Sequence, residues 1–546
     1  MIDFNRHPES YKHWTLTFDG PVATLALEVD SEHPYGEGYD LKLNSYDLGV
    51  DMELCDAVQR VRFEHPEVQS VIVTSGTDRV FCAGANIGML GGSSHPFKVN
   101  FCKYTNETRL SIEDASRHSG IKWLAAVNGA CAGGGYELAL ACDEIYLIND
   151  NNSTVSLPEV PLLGVLPGTG GLTRMVDKRK IRRDHADVFS TLAEGLRGKR
   201  AKAWNLIDDT WPKSKFNDQV QARALQVVKD QGPKQGADGA AGFALEPINH
   251  QPTENGFRYE NVEVALDAEA RVATVTVHGP KGKQPSSPEE FAAAGSSTWA
   301  VRAMRELDDA VCQLRFGFEE VGLIVLHTRG AAGELLQLEK DLVANKEHWL
   351  CNEILLLWAR VCRRWDLNAR SMFYLADRES CTAGVFLELA MACDRIYLID
   401  DPDSPVTTSV GPLSDGLLPM SNGLTRLQNR FLATPEQGAK LAKEQPALDP
   451  AAADEAGLCT FLVEDLDWDD DVRIAIEERA SLSPDALTGM EASLRFAGAE
   501  TCDSKIFGRL SAWQNWIFIR PNATGAEGAL TRYGAPESAR FDWRRT

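Results

Sequence analysis

The sequence predicts a layered α/β protein made of two copies of one domain, followed by a helical region. Three observations carry this. The run ELALACDEIYLIND, starting at Glu137, recurs 251 residues later as ELAMACDRIYLIDD, starting at Glu388. The echo extends both ways. VATLAL from Val22 returns as VATVTV from Val272, and the spaced set Leu54, Asp56, Ala57, Val58, Arg62, Phe63 returns as Leu307, Asp309, Ala310, Val311, Arg315, Phe316. Gly171-Leu172-Thr173-Arg174 returns at Gly423 to Arg426. Each copy also alternates β-rich runs with helical spacing, the pattern of a layered core. A repeat this long is a whole domain, not a solenoid unit.

The first copy sets out its elements in order. Residues 14–18 and 22–28 form a hairpin around Asp19-Gly20-Pro21. The spacing over 51–62 predicts a helix, and the β-branched run 68–74 and the run 123–126 predict strands. Residues 137–142 begin helically and pass into a strand at 144–147. The stretch 230–258 is rich in Gly, Pro, Gln, Asn and Ala and is expected to link the copies. The expected domains are therefore 1–230, a linker over 231–258, a second copy over 259–465 and a helical C-terminal region over 466–546. That last region carries Trp513, Trp516 and Phe518 at helix-compatible spacing, expected to serve core or subunit-contact packing.

Bulk properties exclude several classes. A formal net charge of −23 disfavours a nucleic-acid partner, because phosphate neutralisation needs a basic face. A small anionic ligand needs only a few local cations or helix N-termini. No apolar run approaches the roughly 18 residues of a membrane span, and the N-terminus has no apolar signal-peptide core. The twelve cysteines include no CxxC pair, which predicts neither a zinc site nor a disulfide framework. A cytoplasmic, reduced setting is expected.

Three features of the first copy could do chemistry. Phe81-Cys82-Ala83-Gly84-Ala85-Asn86 follows an apolar strand, and its small residues let backbone approach a ligand. In Asn128-Gly129-Ala130-Cys131-Ala132-Gly133-Gly134-Gly135-Tyr136-Glu137, three glycines precede a helix and suit an oxyanion. Leu157-Pro158-Glu159 places a lone carboxylate in an apolar stretch, ahead of the loop Gly168-Thr169-Gly170-Gly171. That loop lacks the Lys-Ser/Thr of a phosphate-binding P-loop.

In combination, VFCAGANI, AAVNGACAGGGYELALACDEIYL and VSLPEVPLLGVLPGTGGLTRM resemble the crotonase (enoyl-CoA hydratase/isomerase) superfamily. The resemblance implies a β/β/α spiral and an acyl-CoA thioester substrate, with no metal or other cofactor. It also implies an oxyanion hole from the backbone N–H groups of Ala83 and Gly134, and Glu137 and Glu159 as general acid and base in an unassigned order. Members of the superfamily associate through helical C-terminal parts, and a homodimer is expected here. Asn86 stands where the family usually has Asp, and Tyr136 fills a small-residue slot, so both are candidates for reshaping the acyl pocket. The segment 91–109, which contains His95, Lys98, Cys102 and Lys103, lies where the family lines that pocket. Cys102 could orient substrate or water there, or be a packed thiol.

The second copy keeps the shell and loses the site. Gly384-Val385-Phe386 replaces the triple glycine, and Gly411 or Val410 aligns with Glu159, so no second carboxylate is expected. Glu388 is then a structural remnant. Three rivals to a specialised acyl-CoA enzyme are open: an ordinary enoyl-CoA hydratase or isomerase, a non-catalytic CoA-binding scaffold, and an enzyme with a site in each half.

Overall fold

The computed structural model describes all 546 residues and divides into two units, Asp3–Pro247 and Ile248–Thr546, the latter joined by Met1–Ile2. In the first unit the strands are β1 (Trp14–Asp19), β2 (Val22–Leu27), β3 (Ser70–Ser75), β4 (Arg79–Cys82), β5 (Lys122–Val127), β6 (Gly129–Ala132), β7 (Glu144–Asn149), β8 (Val155–Ser156) and β9 (Asp209–Pro212). The large sheet runs β1-β2-β3-β5-β7-β9, and β4-β6-β8 form a small parallel sheet. The hairpin pairs Asp19 with Val22, as its turn sequence predicts, and every later neighbour in the large sheet is parallel. Parallel strands need crossovers, and these carry the helices. The predicted helix over 51–62 is Leu48–Phe63, opened by Asp47, whose carboxylate accepts from Val50 N–H.

In the second unit the strands are β10 (Gln251–Thr253), β11 (Gly256–Arg258), β12 (Val262–Asp267), β13 (Val272–His278), β14 (Leu323–Arg329), β15 (Ser371–Ala376), β16 (Thr382–Ala383), β17 (Arg395–Asp400), β18 (Thr408–Ser409), β19 (Ala447–Leu448) and β20 (Phe461–Glu464). Its sheet order, β10-β11-β12-β13-β14-β15-β17-β20, repeats the first sheet and adds a hairpin at the edge. The duplication is therefore real at the level of topology.

Two expected boundaries shift. The end of the supposed linker is the β10–β11 hairpin, in which Thr253 pairs with Gly256 and Phe257 is fully buried. The polar, Gly-containing composition there belongs to an edge hairpin and its turn. The helical C-terminal region is no separate domain. Buried Glu491 accepts from Arg545, Arg479 and Ser371 of β15, and Arg545 also donates to the Gly322 carbonyl at 2.8 Å. These bonds lock the tail onto the second sheet.

The copies differ most just after their third equivalent strand. The first continues into β4 and a tight turn; the second enters the helix Ala332–Ala344 instead.

Candidate active site

The site of the first unit forms where the small sheet meets the helix Gly134–Ala141. Gly133 sits at φ +53°, and a Cβ there would lie 2.7 Å from Glu159 Oε1. Gly84 sits at φ +89°, where a Cβ would stand 2.8 Å from the Ala132 carbonyl. Only glycine meets both demands at either position. These turns bring Gly134 beside Ala85; a Cβ on Gly134 would be 3.3 Å from Ala85 N.

This corrects one expectation. The Ala83 N–H donates to the Leu43 carbonyl at 3.1 Å, so it is already used. Ala85 is bracketed instead by Tyr46, whose N–H donates to Gly84 O and whose carbonyl accepts from Asn86 N–H, both at 2.8 Å. The Ala85 N–H has no protein acceptor and stands beside Gly134, in the first turn of its helix. The parallel bridge between Tyr46 and Ala85 is a long-range contact, and local spacing carries no signal of it.

Glu137 is buried, and its carboxylate accepts three hydrogen bonds from the loop that follows Glu159. Thr169 N–H donates at 2.9 Å, Gly171 N–H at 2.8 Å and the Thr169 hydroxyl at 2.5 Å. The glycine-rich loop that is not a P-loop is thus the cradle of a carboxylate. Arg174 steadies it, donating to the Thr169 carbonyl at 2.8 Å while its Nε and Nη2 pair with Glu113. Burial alone would raise the Glu113 carboxyl; the Arg174 guanidinium and Lys178 more than reverse it and hold it below its ordinary value.

Glu159 has a different environment. Its Oε2 is buried with no protein partner. Burial pushes its carboxyl up to about 7, with a smaller contribution from the charge of Glu137. Cys102 lies on the long helix His95–His118, and its Sγ would be 3.1 Å from a Cβ on Gly168. Burial, and secondarily the charge of Glu137, push its thiol up to about 11, so it stays protonated at neutral pH. Cys102 backs the loop that cradles Glu137.

The two pocket candidates fall elsewhere. Asn86 caps the helix Ile87–Gly92 through Met89 N–H, and its Nδ2 donates to Asp40 O at 2.8 Å and Ser45 Oγ at 3.0 Å. An Asp could not make those two donations, which accounts for the amide at this position. Tyr136 is fully buried, donates to Leu206 O at 2.7 Å and packs edge-on to Phe189. It is core.

The second unit holds a surprise. Glu388 accepts from Ser414 at 2.6 Å and pairs with Arg426 at 3.2 Å, as a structural remnant would. The expectation that no second carboxylate remains fails, however. Glu339, from the helix that replaces the first oxyanion strand, accepts from Val385 N–H at 2.6 Å. A Cβ on Gly384 or Gly411 would lie 2.1 or 2.3 Å from its carboxylate oxygens. The space left by a missing aligned carboxylate is filled by one from elsewhere in the chain.

Comparisons with known proteins place the chain in a family. The enoyl-CoA hydratase/isomerase family matches residues 41–237. Benzoyl-CoA-dihydrodiol lyase of Aromatoleum evansii is 51% identical over 546 residues, covering 100% of this chain and 98% of that protein. The chain belongs to the benzoyl-CoA-dihydrodiol lyase family. It is an enzyme of lyase type on a crotonase-like fold. The fatty acid oxidation complex subunit alpha of Shewanella loihica is 32% identical over 205 residues, 37% of this chain and 27% of that protein. The crystal structure of an enoyl-CoA hydratase from Geobacillus kaustophilus HTA426 is 28% identical, covers 42% of this chain and 78% of that chain, and has a TM-score of 0.36.

Proposed function

We propose that this chain opens the ring of 2,3-epoxybenzoyl-CoA, consuming two waters and giving 3,4-didehydroadipyl-CoA semialdehyde and formate. The observation that carries the reading is the contrast between the two carboxyl groups beside one backbone N–H pair. Glu137 is fixed as an acceptor by three donors, whereas Glu159 is buried, has a free oxygen and titrates near neutrality. Carboxyls in separated environments take opposite proton roles.

The Ala85 and Gly134 N–H groups polarise the thioester carbonyl and draw electron density from the ring. Such donors, aimed at developing charge, often supply the largest single catalytic term. Glu159 gives its proton to the opening epoxide oxygen, and Glu137 takes one from the attacking water. The pair then exchanges these protons during the second hydration and the carbon–carbon cleavage. No metal or other cofactor takes part; turnover unchanged after exhaustive dialysis against a chelator is the expected result. The substrate partner is an acyl-CoA thioester.

Supplying enzymatically generated 2,3-epoxybenzoyl-CoA in heavy-oxygen water, with crotonyl-CoA in parallel, tests the reaction. Labelled semialdehyde-CoA and formate are expected by mass spectrometry. Hydration of crotonyl-CoA with no ring-opened product would reduce the chain to an ordinary hydratase.

The chain acts as a homodimer in a reducing, cytoplasmic setting on this reading. Twelve cysteines, none of them in a disulfide, support the setting. The helix Cys502–Arg509 buries none of its residues and exposes Ile506 and Phe507, and Leu510, Phe518 and Ile519 beyond it are exposed too, which supports a partner surface. A solution mass of one chain would refute the dimer.

A further inference from the structure

We propose that Tyr46, Asp51 and Arg109 form a buried brace that sets the spacing of the two oxyanion N–H groups, making Arg109 and Tyr46 positioning residues for the reaction. The inference rests on the oxyanion reading above.

The brace reaches both donor residues. Arg109 Nη2 donates to the carbonyl of Gly134 at 3.1 Å, and Nη1 donates to the Thr105 carbonyl at 3.1 Å. Nη1 also pairs with Asp51 at 3.5 Å. Asp51 accepts from the Tyr46 hydroxyl and, at 2.7 Å, from Thr108. The Tyr46 backbone in turn brackets Ala85 from both sides. One connected network therefore runs from the Gly134 carbonyl, one peptide beyond the Gly134 N–H, to the peptide that carries the Ala85 N–H. The Arg109 guanidinium also lies 5.3 Å from the Tyr46 ring centroid. Tyr46, Asp51 and Arg109 are each no more than 1% exposed.

Stability alone does not account for such a network. Buried ion pairs are commonly no better than well-packed apolar groups of similar volume. The second copy makes the point within the same chain. The 253-residue offset that relates Leu54 to Leu307 also relates Glu113 to Asp366, and both acids pair the loop arginine, Arg174 or Arg426. At that offset, Asp51 becomes Met304 and Arg109 becomes Cys362, both buried. The same topology folds there without the charges, and there the N–H of Val385 is occupied by Glu339. The brace is present where the N–H pair is open and absent where it is filled.

The test is the double variant Asp51→Met/Arg109→Cys in the full chain, which copies the second half's apolar solution. The readout is the carbonyl stretch of bound, carbon-13-labelled benzoyl-CoA, alongside kcat and KM. In the parent enzyme the stretch falls on binding. In the variant the fall shrinks and kcat drops ~100-fold, the scale of losing one oxyanion donor, while KM changes little. Tyr46→Phe, which removes one hydroxyl, gives the same direction at smaller amplitude and decides the matter if the double variant does not fold. Variants that fold and keep both the carbonyl shift and kcat overturn the brace. A parent enzyme that does not shift the carbonyl overturns the oxyanion reading itself.

Discussion

At the scale of single residues, the proposed division of work between Glu137 and Glu159 rests on the difference in their surroundings. Glu159 titrates up to about 7, well above 4.5, its ordinary value. If its protonated form is the acid, kcat/KM falls as pH rises through about 7, and Glu159→Gln abolishes turnover and that limb together. A pH–rate profile checks this. The stability sign follows separately. The stabilisation tied to the protonated carboxyl is fully present below about 4.5 and is lost as pH rises through about 7. Thr169 supplies two of the three donors to Glu137. Thr169→Val keeps the backbone donor and removes the hydroxyl, and a roughly 10-fold loss of kcat with little change in KM is expected, the scale of one hydrogen bond to a charged group. Steady-state kinetics decide it.

At the scale of elements, one face of the helix His95–His118 governs the site from behind. Its residues 102, 106, 109 and 113 recur at helical spacing. Cys102 packs against Gly168, Asn106 donates to the Gly168 carbonyl at 3.1 Å, Arg109 holds the Gly134 carbonyl and Glu113 anchors Arg174. The segment 91–109 was expected to line an acyl pocket, and this stripe faces the loop that cradles Glu137 and the turn at Gly134. Asn106→Ala is expected to loosen the cradle and lower kcat several-fold without changing the affinity for benzoyl-CoA, measured by calorimetry. Cys102 is expected to resist iodoacetamide at pH 7.5, because a thiol held near 11 offers almost no thiolate. Rapid stoichiometric labelling at Cys102 would show that its environment has been misjudged.

At the scale of the whole molecule, duplication gave one chain two versions of the same topology with opposite fates. In the second, Glu339 closes the vestigial N–H site from within. Burial pushes its carboxyl up to about 8, opposed by the bond from Val385 N–H and helped by the charge of Glu388. Its contribution to stability is therefore fully present below about 4.5 and is lost as pH rises through about 8. Thermal unfolding of the second unit should shift to lower temperature between pH 7 and 9, and Glu339→Gln should flatten that dependence. Hydrogen exchange in the helix Ala332–Ala344 would read the same opening locally.

The sequence by itself determined the duplication and the element order, because these are written in local periodicity and in repeated text, while the crotonase-like fold and the roles expected of Glu137 and Glu159 were implied by the resemblance of its motifs to that family. The turn glycines Gly84 and Gly133 were legible through the positive φ of their own turns, while the atoms that also exclude a Cβ there, Ala132 O and Glu159 Oε1, are tertiary neighbours. Tertiary structure alone decided which N–H stays open, since Ala83 is used by Leu43 across forty residues of chain and Ala85 is not. It also turned Tyr136 and Asn86 from pocket candidates into core and cap, made a non-P-loop the cradle of Glu137, and brought Glu339 into a site that its alignment had emptied. Each of these depends on a partner distant in the chain, and a side chain's direction toward such a partner is set by packing, which spacing does not encode.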